Sequence, residues 1–210
     1  ALGLTAARLS ARLMAADLIG LGVTVDCLPL ADVPVAGADA VIGNRAYDTR
    51  AERIMILANA HVAGLMEGGI LPVMKHVPGH GRAKVDSHKE LPIVNVDRAA
   101  LEATDFHCFA GFADCPMAMT AHVVYTALDP DNPATLSRKI IREVIRKTMN
   151  FNGLLITDDL SMKALGGTFA EKCERALAAG CDMLLHCGGD MNEMEQVATH
   201  FAILSKGKLQ

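Results

Sequence analysis

The stretch ILPVMKHVPGHGRAKVDSH, residues 70–88, decides how the chain is interpreted. Its apolar start, Ile70–Met74, predicts a short buried strand. The strand leads directly into a Gly-rich loop that contains three histidines, His76, His80 and His88. A structural loop needs glycine and proline for its turns, but it has no need of imidazoles. Titratable side chains that follow a strand and continue into such a loop are typical of the active site of an α/β protein.

Helical and strand-like segments alternate along the rest of the chain. Short, nearly continuous apolar runs predict five strands, at 21–27, 70–76, 117–125, 153–157 and 182–187. Apolar residues at helical spacing predict helices at 4–19, 49–67, 97–112, 134–149, 168–179 and 190–205. Strands that are apolar on both faces indicate a parallel sheet covered by helices. No internal repeat or linker is visible, so we expect a single domain over residues 1–210.

A doubly wound sheet and a TIM barrel both fit this alternation, and the polar residues favour the barrel. Titratable side chains stand at the C-terminal ends of four different predicted strands: Lys75 and His76, His122, Asp158, and His186. That distribution is the TIM-barrel arrangement, whereas a doubly wound nucleotide binder carries a glycine fingerprint that this sequence lacks. A complete barrel has eight strands in about 250 residues. We therefore predict an incomplete TIM (β/α)8-type barrel whose N-terminal strands are missing.

The composition excludes several classes of function. The 210 residues carry a formal net charge of −4 without a basic run, so we expect no nucleic-acid partner. No apolar run reaches the length that spans a membrane, so we expect no membrane partner either. The six cysteines form no CxxC pair and lie mostly in apolar runs. This pattern indicates reduced thiols and a cytoplasmic protein.

The start of the chain lies inside a predicted element. Leu4, Leu9 and Leu13 already stand at helical spacings, directly after Ala1. We therefore expect that upstream sequence is missing.

Asp158 and Asp159 follow the predicted strand GLLIT. A carboxylate at a strand end can act as a nucleophile on an anomeric carbon, as a base or as a metal ligand. The structural alternative is that one of them caps the next turn, and Asp159 is placed to do so for Leu160–Lys163. Position alone leaves both interpretations open.

Asp86 and His88 are separated by one residue in the segment Asp86-Ser87-His88. On a turned loop their side chains can touch, and a carboxylate that holds an imidazole suits it for general acid–base work. The structural alternative is a surface turn with a local hydrogen bond. The histidines could instead bind a metal together with Asp86, but Pro78 and the glycines forbid the helix that HxxxH zinc motifs need.

Arg45, in the predicted loop 28–48, is a candidate clamp for a polar or anionic group of a substrate, although a surface arginine is the commoner case. Arg82 and Lys84 are expected to be solvated. Gly79 and Gly81 are expected to make the His-rich loop a hinge. His61, His107 and His200 fall on predicted helices and are expected to be structural.

Several motifs together resemble one enzyme family. KHVPGHGRAKVDSH resembles the KHFPGHG…DSH loop of the β-N-acetylglucosaminidases of glycoside hydrolase family 3, and TAHVVY resembles their AHV-I/V-Y strand. NGLLITDDLSMKAL resembles their DDLSM segment, GNRAY their arginine loop, and AGCDMLLHC their AGCDM strand. The matches follow the family's order and extend over essentially the whole chain. The chain is most similar to the cytoplasmic bacterial enzymes of cell-wall recycling.

The resemblance implies a TIM-barrel exo-glycosidase that needs no cofactor and no metal. It would remove terminal β-linked N-acetylglucosamine from muropeptides through a covalent glycosyl-enzyme, with retention of configuration. Asp158 would be the nucleophile, and His88 would be the general acid and base, oriented by Asp86. Arg45, Lys75 and His76 match positions that bind the sugar. Most glycosidases use two carboxylates, so a His–Asp pair in place of the acid would set this group apart.

The sequence departs from the family pattern in ways that leave other hypotheses open. The family's upstream D-x-E-G-G-x-V-x-R segment is absent, Asn44 replaces an acidic residue before Arg45, and Val77 replaces phenylalanine or isoleucine. A truncated, inactive barrel that binds muropeptide is therefore the main alternative. A metal-dependent hydrolase built on the His cluster is a further one. The oligomeric state and the role of His80 do not follow from the sequence.

Overall fold

A computed structural model describes residues 2–206 of the chain, with side chains described through residue 200. The strands are β1 (Val25–Asp26), β2 (Leu71–Val77), β3 (Ile93–Val94), β4 (Met117–Thr120), β5 (Val124–Tyr125), β6 (Leu154–Asp159) and β7 (Met183–Leu185). The helices are α1 (Leu2–Gly20), α2 (Ala51–Glu67), α3, α4, α5 (Phe169–Ala179) and α6 (Met191–Lys206). Helix α3 combines Arg98–Leu101 and His107–Ala110 with a π-helical centre, Glu102–Phe106, and α4 is the π-helical segment Ile140–Thr148.

Five strands form a parallel sheet in the order β1-β2-β4-β6-β7. The prediction of a parallel α/β sheet is therefore confirmed. Within the described residues, β1 and β7 are the two edges of this sheet, which is open. All four residues of β4, the central strand, are buried, as a strand covered on both faces requires. Parallel pairing places the C-terminal ends of all five strands at one edge of the sheet.

Two packed layers bury the strands. The main core lies between the sheet and the helices, and it includes Met74, Ala118 and Leu155. A smaller apolar cluster, Val73, Met117, Met119 and Ile156, covers the opposite face. Residues that alternate along one strand, such as Val73 and Met74, thus belong to different layers.

The predicted strand 117–125 is two strands. β4 ends at Thr120, and β5 leaves the main sheet to pair with β3 in a separate parallel ladder. Between them, Ala121 N–H donates to the carbonyl of Val77 and Val124 N–H donates to the carbonyl of Pro92. The apolar run is continuous because both parts are buried, so hydrophobicity alone does not show the break.

Helix α1 buries its alanines and not its leucines. Leu4, Leu9 and Leu13 are exposed, whereas Ala11 and Ala15 are fully buried. A Cβ at Gly64 of α2 would overlap the carbonyl oxygen of Arg8, and one at Gly68 would overlap the side chain of Ala15. Small residues on both sides therefore bring the two helices close together. No helix of the described residues is both long and apolar enough to cross a membrane.

Candidate active site

The candidate site lies at the C-terminal edge of the main sheet. Lys75 and His76 come from the end of β2, and Asp158 comes from the end of β6. His122 follows β4, and His186 follows β7. The loop from Pro78 to Pro92 continues from β2 across the same edge. The residues that sequence patterns placed at separate strand ends are therefore gathered on one face, as the parallel sheet requires.

His76 lies between two carboxylates. Its Nδ1 is 2.7 Å from Asp32 Oδ2, and its Nε2 is 3.8 Å from Asp158 Oδ2. The His76 side chain is 10% exposed and that of Asp158 is 15% exposed, so the pair is sheltered but reachable. The contact of Nδ1 with Asp32 fixes the orientation of the His76 ring and directs Nε2 toward Asp158.

Asp32 is the residue that sequence reasoning missed. It is fully buried, and its carboxylate accepts hydrogen bonds from the backbone N–H of His76 and from that of His80, the latter at 2.6 Å. Burial alone would raise the pKa of Asp32, but its interactions with His76 and with the backbone N–H of His80 outweigh burial and lower the pKa. An acidic residue between the buried Ala31 and Val33 was the signal available in the sequence.

Asp32 reaches β2 because the chain after β1 resumes its pairing. Leu30 forms a parallel bridge with Lys75, and Ala31 N–H donates to the carbonyl of Lys75. The first part of the predicted loop 28–48 therefore lies along β2 and places Asp32 beneath His76.

Asp158 and Asp159 have different surroundings. Asp158 Oδ1 accepts a hydrogen bond from the backbone N–H of Asp159 at 2.8 Å, while its Oδ2 faces His76. Asp159 accepts from the backbone N–H and hydroxyl of Ser161 and from the backbone N–H of Cys187. Burial opposes ionisation of Asp159, but these hydrogen bonds lower its pKa. Asp159 thus stabilises the turn after β6 through its hydrogen bonds. Asp158 is therefore the candidate nucleophile of the two.

Asp86 and His88 form the contact that their spacing predicts. His88 Nδ1 is 2.7 Å from Asp86 Oδ1, which also accepts the backbone N–H of His88. The backbone hydrogen bond from His88 is the main cause that lowers the pKa of Asp86. The His88 side chain is 63% exposed and that of Asp86 is 16% exposed. The His88 imidazole is therefore exposed to solvent while it contacts the ionised carboxylate of Asp86. A proton-transfer group needs this combination.

The three histidines of the loop have separate partners. His76 contacts Asp32, His80 Nε2 is 3.0 Å from Ser87 Oγ, and His88 contacts Asp86. Among the residues whose side chains are described, no group of three or more His, Cys, Asp or Glu is arranged to hold a metal ion. The cluster is thus divided into three pairs.

The Pro78–Gly81 turn is packed, and the hinge motion expected of its glycines stays a prediction. Tyr125 OH donates to the carbonyl of Gly79 at 2.5 Å, and Val35 N–H donates to that of Gly81. A Cβ at Gly81 would overlap the carbonyl oxygen of Val33. Gly81 is therefore required because two backbone segments approach closely.

The expectation that Arg82 is solvated is wrong. Its Nε donates to Asp105 Oδ2 at 2.7 Å, and its side chain is only 15% exposed. A further hydrogen bond joins Arg82 to the Thr104 hydroxyl at 2.6 Å. The loop is thus anchored to α3 at its start, and exposed residues begin at Lys84.

We expect Gly81→Ala to destabilise the protein by about 3 kcal/mol or more, because either the Val33 backbone or the loop must move. Gly166→Ala is the matched control, since a Cβ there meets nothing within 4 Å. Urea unfolding of both variants checks the prediction. Equal free energies of unfolding for the two variants would contradict the close approach at Gly81.

The other proposed sugar-binding residues differ in how the structure places them. Burial raises the pKa of the Cys27 thiol. The positive charge of Lys75 opposes this rise, and the negative charge of Asp158 adds to it. Lys75 and Asp158 therefore both lie close enough to Cys27 to influence its charge. Arg45 is exposed, and its Nη1 donates to the carbonyl of Val41. Within the described residues no hydrogen bond or ion pair joins Arg45 to Asp158 or His76.

The remaining histidines near the site have supporting contacts. His122 is fully buried; its Nδ1 is 2.7 Å from Thr135 Oγ1 and its Nε2 is 3.1 Å from the carbonyl of Asp159. Burial lowers the pKa of His122, so the ring stays neutral. His186 Nε2 pairs with Glu193 Oε2 at 2.8 Å. Both therefore brace the strand ends on either side of Asp158.

Comparisons with known proteins agree on one family. Residues 1–210 match the glycosyl hydrolase family 3 N-terminal domain. The chain is 42% identical over 179 residues to a beta-hexosaminidase of Alkalilimnicola ehrlichii, covering 83% of this chain and 51% of that protein. It is 41% identical over 182 residues to a beta-hexosaminidase of Tolumonas auensis, with 83% and 53% covered. The chain thus spans about half the length of the curated relatives that it matches.

Solved structures give the same result. The native NagZ structure from Neisseria gonorrhoeae superposes with a TM-score of 0.83 at 34% identity, over 93% of this chain and 57% of that one. A family 3 beta-N-acetylglucosaminidase from a Paenibacillus species superposes with a TM-score of 0.90 at 29% identity, over 99% of this chain and 40% of that one. The open parallel sheet with its polar edge is therefore part of a known fold, and this chain belongs to glycosyl hydrolase family 3.

Proposed function

We propose that the protein is a retaining exo-β-N-acetylglucosaminidase. The observation that carries this proposal is the presence of two chemical groups on elements that meet at one sheet edge. A sheltered carboxylate, Asp158, whose Oδ2 faces His76, lies at the end of β6, and a carboxylate-held imidazole, His88, lies on the loop after β2. A nucleophile and a proton-transfer group are the two parts that retaining glycoside hydrolysis needs. The names of the beta-hexosaminidase relatives support the choice of sugar.

In the proposed first step, Asp158 Oδ2 attacks the anomeric carbon as the glycosidic C–O bond breaks. His88 donates its proton to the departing oxygen, and a glycosyl ester forms on Asp158. In the second step, His88 takes a proton from water, whose oxygen attacks the same carbon and releases Asp158. Two inversions return the β configuration. Asp86 stabilises the imidazolium and holds its Nδ1–H in both steps.

The sugar would be bound beside Asp158. His76 would bind a sugar hydroxyl through Nε2, because Asp32 holds the opposite nitrogen. Lys75 would supply a donor from the same strand end, and Arg45 would clamp the sugar from its loop. Arg45 has no hydrogen bond or ion pair with Asp158 or His76 within the described part of the chain, so the sugar itself would have to connect Arg45 to them.

The complete protein would close this open sheet into a TIM barrel with further strands. Residues 1–210 would form one catalytic domain within it. We propose muropeptides as the substrate and cell-wall recycling in the cytoplasm as the setting. The similarity to NagZ supports this choice, and the six free cysteines suit a reducing compartment.

The test is hydrolysis of 4-nitrophenyl N-acetyl-β-D-glucosaminide by the purified chain, followed by proton NMR of the first sugar released. We expect the β-anomer to appear before mutarotation, and no release from the α-glycoside. Release of the α-anomer would contradict a retaining mechanism. Failure to release 4-nitrophenol would contradict the activity of this chain and favour an inactive barrel fragment.

A further inference from the structure

His80 and Ser87 form a buried contact for which the proposed reaction has no use. His80 is 3% exposed and Ser87 is also 3% exposed. His80 Nε2 lies 3.0 Å from Ser87 Oγ. Ser87 is the residue between Asp86 and His88, so this contact is made at the centre of the acid–base pair's own segment.

Ser87 also connects two loops of the site. Its carbonyl accepts a hydrogen bond from the backbone N–H of Ala164 at 3.2 Å. Ala164 belongs to the loop after β6, the strand that carries Asp158. Ser87 is therefore held from both sides, by the turn after β2 and by the loop that follows the nucleophile.

The other end of the contact leads to the sugar pocket. The backbone N–H of His80 donates to Asp32 Oδ1 at 2.6 Å, and Asp32 Oδ2 is 2.7 Å from His76 Nδ1. His76 in turn faces Asp158. The buried carboxylate of Asp32 thus binds both His76, which lies beside Asp158, and His80, which contacts Ser87.

The direction of the His80–Ser87 hydrogen bond follows from the environment of the ring. His80 Nδ1 is buried, and no group of the described residues forms a hydrogen bond with it. A proton on Nδ1 would be a buried, unsatisfied donor, which is costly. The favoured neutral tautomer therefore carries its proton on Nε2 and donates it to Ser87 Oγ. Burial also lowers the pKa of His80, which keeps the ring neutral.

We infer that His80 and Ser87 are positioning residues that hold the Asp86–His88 pair at the mouth of the site. This inference rests on the proposed function of that pair. The loop's start does not depend on the His80–Ser87 contact, because Gly81 packs on Val33 and Arg82 pairs with Asp105. Loss of the Ser87 hydroxyl should therefore release residues 84–90 without unfolding the protein.

The first test compares Ser87→Ala with the parent chain on two N-acetyl-β-glucosaminides. Phenol is a poor leaving group that needs protonation, whereas 2,4-dinitrophenol departs without it. We expect Ser87→Ala to lower kcat/KM about tenfold or more for the phenyl glycoside. The loss for the dinitrophenyl glycoside should be less than about threefold, because that bond breaks without the acid. Equal losses on both substrates would overturn the inference.

Matched variants separate positioning from general stability. Ser137→Ala removes another buried hydroxyl, one that donates to Asp129 away from the site, and should show no dependence on the leaving group. His80→Gln retains a side-chain N–H at similar reach and should recover part of the loss seen in His80→Ala. In a double variant, His80→Ala with Ser87→Ala should lose no more than the single variants, because the two act through one contact.

A second readout does not depend on activity. Lys84 and Lys89 are exposed tryptic sites on either side of Ser87. We expect trypsin to cut the native Ser87→Ala chain after these lysines several-fold faster than the parent, and Ser137→Ala at the parent rate. If the parent chain is inactive but trypsin still cuts Ser87→Ala faster than the parent, the result would contradict the proposed function and support the positioning role. Unchanged cleavage in Ser87→Ala would overturn the positioning role even in an active enzyme.

Discussion

Replacing Asp158 with asparagine should abolish glycoside hydrolysis and leave the fold intact. The amide that replaces the carboxylate keeps an oxygen that can accept the backbone N–H of Asp159, so the local hydrogen bond survives. This amide is not a nucleophile, so the glycosyl ester cannot form. We expect kcat/KM on the 4-nitrophenyl substrate to fall by at least about 10³-fold, a scale typical of nucleophile loss. The urea midpoint should change little.

Asp159→Asn is the matched control for this loss. Its carboxylate accepts three hydrogen bonds, from Ser161 N–H, Ser161 Oγ and Cys187 N–H. An asparagine has a single acceptor oxygen in its place, so this variant should lose stability more than chemistry. The assignment of the two roles would be wrong if Asp159→Asn were the inactive but stable variant and Asp158→Asn the active one.

Replacing Asp32 with asparagine should have the largest effect on stability. Among the residues that the structure describes, the hydrogen-bond partners of this buried carboxylate are two backbone N–H groups and His76 Nδ1. The side-chain N–H of the introduced asparagine would face one of these donors, and the charge that supports His76 would be lost. Changing one partner of a buried ionic network costs about 3 kcal/mol or more. Urea unfolding at pH 7 measures this cost, with Asp17→Asn on the exposed face of α1 as the control.

The cost of Asp32→Asn should also depend on pH. The folded-state pKa of Asp32 lies below its ordinary value of about 3.9. The ionised carboxylate therefore stabilises the fold fully above about pH 4, and this contribution is lost as the pH falls through the folded pKa. The difference in free energy of unfolding between parent and variant should shrink in that window. A difference that is constant down to pH 3 would contradict the lowered pKa.

Local patterns made the parallel sheet and many site residues predictable. β2, β6 and β7 are short apolar runs bounded by polar residues, so their positions follow from sequence alone, although their ends differ from the predicted ones by one or two residues. Parallel pairing then requires that Lys75, His76 and Asp158 share one edge. The contact of Asp86 with His88 is also local, because it spans two residues. These predictions needed no knowledge of distant packing.

Long-range packing decided what the sequence could not show. Asp32 is 44 residues from its partner His76, and nothing in the segment around it indicates that the chain returns to β2 there. The two glycines of the His-rich loop look like a hinge, yet Gly81 is needed for its approach to Val33. Helix α1 buries Ala11 and Ala15 because α2 offers glycines opposite them, so its leucines stay exposed.

The most direct test of the central claim is to trap the covalent intermediate. The chain is incubated with a 5-fluoro derivative of N-acetyl-β-glucosaminyl fluoride, which slows release of the ester, and peptic fragments are analysed by tandem mass spectrometry. We predict a single added sugar on Asp158, and none in Asp158→Asn. A sugar on Asp159 or any other residue, or turnover of substrate with no trapped ester, would contradict the assignment of Asp158 as the nucleophile.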